Sequence, residues 1–349
     1  MSSIEQFLTQ PSVVSRTHLA LEECVIDRSP SDLLQSCASS EFLRGNFVVF
    51  DDGEDSTTLA LRSRDNSPPE EAILEVPGVL LAHNLPPITD RTQLPRDRVH
   101  FAEQSVTVTG LGYDAFERAI HAIRNIHTLF STRHRDLQLW HPERRLQHPC
   151  LTFRTRYVTS KKIADPSVQI PFPSSIDPKG ILASTFQGRG VRLEDNDVQF
   201  FCAKKGARRG GHSFQTIRPG IFRVGQVVHL QVAFCVVPST KGACHYLVPK
   251  LRSIALMDSS VHDDFLFSSA WTGAAASPKV PKVVSLKRRV GYGGREEGSG
   301  EGSGESSSKR ARKESGSKMD YRDSQEDGQS PFSPASNPPP SPSEYGGVA

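Results

Sequence analysis

FRVGQVVHLQVAFCVV, residues 222–237, and YLVPKLRSIALM, residues 246–257, are the two runs on which the fold turns. Both are mostly apolar and rich in Val, Ile, Leu and Phe, and a short segment, 238–245, separates them. Two such runs read as one long β-hairpin. Gly225 lies near the start of the first run. A glycine there lets a strand bend sharply, as strands of small barrels do. The second half of the chain is therefore expected to be β-rich, with a small barrel as one way of closing it.

Working outward, further strands are expected at 44–50, 57–61, 105–109, 150–158 and from 197 to 201. Residues 72–83 suggest a strand broken at Pro77-Gly78, and proline makes 85–98 and 165–178 irregular. One helix stands out at 113–130. Tyr113, Phe116, Ile120, Ile123, His127 and Phe130 recur at steps of three and four, which places them on one face. Asp114 and Glu117 open it and Arg133 lies just past its end, as the helix dipole favours. A short helix is expected over 179–186, with Asp177 as cap and Pro178 at its first position. The class is α+β, β-rich with one main amphipathic helix. Residues 1–15 are expected as a flexible arm and 16–270 as a single globular domain, with 160–176 as a candidate internal boundary.

Beyond residue 274 the apolar pattern stops and Gly, Ser, Glu and Pro take over. Such a segment, 274–349, cannot bury enough apolar surface to offset chain entropy, so a long disordered tail is expected. Two basic clusters lie in it: Lys287-Arg288-Arg289 and Lys309-Arg310-Ala311-Arg312-Lys313. Clusters of this kind serve as import signals or polyanion contacts. They imply a nuclear location and an import receptor as partner.

The formal net charge of the 349 residues is only +3, but charge is unevenly spread. Residues 1–75 hold 14 Asp/Glu against 5 Lys/Arg, while 98–162 hold 11 Lys/Arg against 5 Asp/Glu. Either the basic part attracts an anionic partner, or the two parts face each other and neutralise. The six cysteines are scattered and no secretory signal is evident, which suits free thiols in a reducing compartment. No apolar run is long enough to span a bilayer, so no membrane is expected.

Catalytic motifs are weak. His262-Asp263-Asp264 holds a His-x-Asp pair, but no later histidine completes an iron site, and a surface loop explains it. Cys202, His212, Cys235, Cys244 and His245 offer zinc-binding atoms without any close Cys pair. His127, His134, His141 and His148 recur every seven residues, but Pro142 and Pro149 break the alignment. No nucleophile elbow, phosphate loop or dinucleotide fingerprint is present, so no cofactor is expected. DNA or RNA contact has more candidates: Arg154, Arg156, Lys161 and Lys162 on or after one strand, and Lys204, Lys205, Arg208 and Arg209 in a glycine-bearing loop. Tyr157, Phe200, Phe201 and Phe214 lie near them in sequence and are candidate stacking platforms.

Several blocks occur together: Asp177-Pro178-Lys179-Gly180-Ile181-Leu182, Glu194-Asp195-Asn196, residues 222–228 running into 231–234, residues 251–256, and residues 287–292. The set resembles a group of uncharacterised fungal proteins that share these blocks in this order, over about 177–292. The resemblance implies no activity and no site residue. That group has His-Thr ahead of Glu-Asp-Asn where this chain has Arg192-Leu193, so a functional histidine there would be missing. Arg252, between apolar neighbours, is expected to pair with a carboxylate such as Asp195. The expectation for function is a non-enzymatic nuclear interaction module that contacts nucleic acid through basic residues. The alternatives are a hydrolase-like enzyme with a His/carboxylate site, and an adaptor whose acidic first 75 residues dock a partner.

Overall fold

In a computed structural model the long hairpin is present and central, with Val227–Pro238 antiparallel to His245–Asp258. The structure describes residues 3–51, 56–63, 68–96, 99–161, 163–206, 211–239 and 242–275. In chain order the helices are α1 (Ser3–Leu8), α2 (Pro11–Glu23), α3 (Ser40–Asn46), α4 (Asp114–Ser131), α5 (Ile181–Phe186) and α6 (Ser260–Ala275). The first six strands are β1 (Phe47–Asp51), β2 (Thr57–Leu61), β3 (Leu74–Asn84), β4 (Glu103–Thr109), β5 (Glu143–Arg145) and β6 (His148–Arg156). They are followed by β7 (Thr159–Ser160), β8 (Gly190–Val191), β9 (Gln199–Lys205), β10 (His212–Thr216), β11 (Val227–Pro238) and β12 (His245–Asp258).

One sheet runs β10-β9-β12-β11-β3-β4-β6-β5, and the β1–β2 hairpin joins it through β11. Among the strands of the described residues, only β12 and β9 form a parallel ladder. One edge of β11 is divided: residues 227–232 bond to β3 and residues 235–236 to β2. The α+β class holds, but no ladder closes a barrel. The two strands that would have to join already have other neighbours: β9 takes the free edge of β12, and β5 takes part of β6. Between them, Thr155 Oγ1 of β6 donates to the Leu251 carbonyl of β12 at 2.7 Å. Gly225, at φ 91°, shapes the turn into β11 rather than a bend within it.

The main helix forms where its periodicity demands. Phe116, Ile120, Ile123, Ile126 and Phe130 are buried against Leu34, Val76 and Val108 in the main core. Each fully buried side chain of this size contributes on the order of 2–3 kcal/mol. Pro77 does not break β3, because β4 pairs only from Val79 onward and leaves that part of β3 bonded on one side. Gly78 allows the close approach there: a Cβ on it would lie 2.8 Å from Val108 Cβ.

Four expectations change. Residues 1–15 are not a loose arm, since α1 and α2 bury Leu8 and Val13. The segment holding His262-Asp263-Asp264 is helical, where a loop was expected. Strands from both sides of 160–176 share the large sheet, and Met1–Val280 forms one unit. Residues 1–75 supply β1, β2, the start of β3 and the core residues Leu34, Phe47 and Leu59. They are therefore part of the body rather than a detachable acidic arm. The expected tail, with Lys287, Arg288, Arg289, Lys309, Arg310, Arg312 and Lys313, lies outside the described residues.

Candidate functional site

The basic residues proposed for nucleic acid come from separate strands of the sheet. Arg154 and Arg156 are exposed on β6, while Lys204 and Lys205 are exposed on β9, with four strands between them in the sheet order. Arg154 pairs with Glu103 at 3.6 Å and Lys205 with Glu23 at 2.7 Å, so both charges are met locally. The Arg156 guanidinium lies 4.8 Å from the centre of the Phe101 ring. Lys161 is exposed; Lys162, Arg208 and Arg209 lie outside the described residues. Lys204 and Lys205 stand in a strand where a loop was expected. Tyr157 and Phe200 are core residues and offer no stacking face, whereas Phe214 is partly open with Arg28 over its ring. Acidic residues of the first part also meet later cations: Asp51 pairs with Arg133 and Glu71 with Arg252. Arg252 bonds Asp195 as well, as its sequence setting implied.

A different group converges at one end of the β11–β12 hairpin. After α4 ends, Arg133 and His134 return their N–H groups to the Phe130 carbonyl, which starts a tight turn. The turn docks against the start of β12 through a parallel bridge between Leu137 and His245, with Gln138 N–H donating to the His245 carbonyl at 2.8 Å. His127, one helical stretch earlier, bonds the Gln138 carbonyl at 3.0 Å and holds the turn from the other side. Asp136 is thereby fixed beside His245, whose Nδ1 lies 2.9 Å from Oδ2 and 3.0 Å from Oδ1. The His134 ring lies 4.4 Å from the His245 ring, centre to centre. Pairing of Val236 with Thr57 brings β2 alongside, and the Thr57 hydroxyl lies 2.9 Å from His134 Nε2.

One ligand-type atom from each of His134, Asp136 and His245 lies within 4.8 Å of the others, and no second such group occurs among the described residues. Burial, and then the neighbouring His245 ring, hold His134 below the usual histidine value. The hydrogen bond from His245 holds the Asp136 carboxyl below the usual carboxylate range. His245 Nε2 is shielded from solvent and has no hydrogen-bond partner. Two imidazoles beside a carboxylate form a donor set suited to a borderline divalent metal. Sequence spacing did flag His134 and His245, but in different groupings, and Asp136 was not singled out. Of the heptad histidines, His127 and His134 meet at this turn and His141 and His148 do not join it.

The other sequence candidates have ordinary roles. His262 bonds the Val224 carbonyl at 2.8 Å, and Asp264 is paired with Arg16. The Cys235 thiol is buried in β11, pushed up to about 11 by burial, and among the described residues no cysteine converges with His245 into a metal-type group. Cys24 and Cys37 are likewise buried, with thiols pushed up to about 12.

A second polar group lies inside the sheet. Glu75 of β3 accepts from Gln231 Nε2 at 3.1 Å, and Gln231 in turn accepts from Ser253 at 2.9 Å. Arg28 and His229 approach Glu75 Oε2 at 3.5 and 3.6 Å. Burial, with Arg28 and His212 adding, pushes His229 down to about 3. His229 is therefore neutral at physiological pH, and its approach to Glu75 is not an ion pair. A narrow cleft beside Glu75, lined by Leu33, Ala115 and Phe116, has a volume of only about 10 Å³, room for about one water.

No protein-family model matches the chain, and no curated protein or solved structure is similar to it. No helix among the described residues is long and apolar enough to cross a membrane.

Proposed function

We propose that this chain is a non-enzymatic interaction module of the nucleus, with the α+β body as platform and the two basic clusters of 274–349 as import signal and phosphate contact. The observation that carries the reading is the pair of clusters, Lys287-Arg288-Arg289 and Lys309-Arg310-Ala311-Arg312-Lys313, in a segment of Gly, Ser, Glu and Pro. Local pairing of Arg154 and Lys205 supports assigning phosphate contact to those clusters rather than to the body.

A fluorescent fusion of the full chain is expected to accumulate in nuclei, and changing all seven Lys and Arg of the clusters to Gln is expected to release it. A fusion that stays out of the nucleus with export blocked removes this reading. For nucleic acid, the salt dependence of DNA binding separates the two surfaces. Replacing Lys309, Arg310, Arg312 and Lys313 by Gln lowers the log–log salt slope by about 3–4, whereas Arg154→Gln with Arg156→Gln changes it by less than about 1. A hydrolytic enzyme is the second reading, favoured by the convergence of His134, Asp136 and His245. Turnover of a phosphoester or ester by purified chain, lost in His245→Ala, would establish it.

A further inference from the structure

We propose that His134, Asp136 and His245 form a binding site for a divalent transition ion of the zinc class. The proposal is independent of nuclear import and rests on geometry alone.

Zinc bonds nitrogen and carboxylate oxygen at about 2.0–2.2 Å, so neighbouring ligand atoms in a tetrahedral site stand about 3.4 Å apart. His245 Nδ1 and Asp136 Oδ2 already lie 2.9 Å apart, and one ligand-type atom from each of the three residues lies within 4.8 Å of the others. A shift of roughly 1 Å by partly exposed side chains completes the arrangement. The backbone needs no change, because the Leu137–His245 bridge already holds the turn against β12. Asp136 is 45 % exposed and His245 18 %, which leaves an entry path and room for a water as a further ligand. Three protein ligands with an open position is the pattern of a reactive rather than a sealed zinc site.

The surroundings agree. Thr57 bonds one nitrogen of His134 and so orients the ring, as outer partners of metal-binding histidines do. Arg133, the cation beside His134 in sequence, is drawn to Asp51 at 3.7 Å, which offsets its charge. Two imidazoles with one carboxylate suit zinc, cobalt, nickel or iron(II), and are a poor match for calcium or magnesium, which demand oxygen ligands. The segment 274–349 contains no His or Cys, so it supplies no imidazole or thiol ligand.

The test uses the purified full chain, stripped of metal, with zinc titrated against a chromophoric chelator. One tight site per chain is expected, undisturbed by millimolar magnesium or calcium, and cobalt in its place should give visible d–d bands. His134→Ala, Asp136→Asn and His245→Ala should each weaken zinc by on the order of 100-fold, and Thr57→Val by roughly 10-fold. Circular dichroism confirms that each variant is folded; Asp136→Asn, at an exposed position, keeps the test decisive if a histidine variant does not fold. His18→Ala should leave affinity unchanged, since the His18 ring bonds the Leu111 carbonyl at 3.1 Å and belongs to no metal-type group among the described residues. Zinc binding that survives all three ligand substitutions, or a folded chain that takes up no zinc, overturns the proposal.

Discussion

The chain builds two histidine–carboxylate groups, and they differ in nearly every respect but composition. Around Glu75 and His229, carboxylate and imidazole face each other inside the sheet at 3.6 Å, and neither Glu75 Oε2 nor His229 Nε2 has a hydrogen-bond partner. At Asp136 and His245 the same two chemistries bond at 2.9 Å at the rim of the hairpin, with solvent on one side. Burial decides between them. Inside, desolvation strips His229 of its charge and leaves Glu75 to Arg28 and Gln231. At the rim, the hydrogen bond from His245 holds the Asp136 carboxyl below the usual range while the carboxylate stays open to water. The inner group contributes to stability, while the outer one is free to bind.

This contrast is sharpest in stability measurements. Glu75→Ala removes the acceptor of Gln231 and the ion-pair partner of the half-buried Arg28, so it should cost about 2–3 kcal/mol in urea unfolding. A cost below about 1 kcal/mol would mean that the inner group is slack and the distinction fails. The next effect is on pH. His229 is depressed to about 3 in the fold, so the unfolded chain, with a histidine near 6.5, takes up the proton first. Its contribution is fully present above pH 6.5 and is lost as pH falls toward 3. Between pH 7 and 5 that amounts to about 2 kcal/mol, visible as the difference in pH slope between the natural chain and His229→Gln.

The outer group should respond least. The Asp136 carboxyl lies below the usual range, so its contribution is present above the ordinary carboxylate value and disappears as pH drops through the lowered one. Because the carboxylate is open to water, Asp136→Asn should move the thermal midpoint of metal-free chain by no more than about 2 °C. The same variant should largely abolish zinc stabilisation. A large loss of stability without metal would make the outer group a structural pair instead.

Much of the fold could be read from local patterns. The helix at α4 and the strands β2 and β12 lie within a residue or two of where periodicity placed them, because apolar spacing alone fixes them. The α1 and α6 helices were missed for a common reason: each rests on contacts remote in sequence, such as Phe7 against Phe265, which no local window contains. Both histidine groups were illegible for the same reason. Glu75 and Gln231 are 156 residues apart, and Asp136 and His245 are 109 apart. Arg252 was the exception, since an arginine among apolar strand residues announces a buried partner even when that partner's identity is open.

The divided edge of β11 also bears on how the chain is made. Both β2 and β3 take one neighbour from residues 227–238, which leave the ribosome long after β3 ends at Asn84. At about 5–20 residues per second, those edges wait on the order of ten seconds or more for their partner. Over that interval the nascent chain leaves one edge of β2 and one of β3 open, so chaperone engagement and slow production at high expression are the expected cost of this topology.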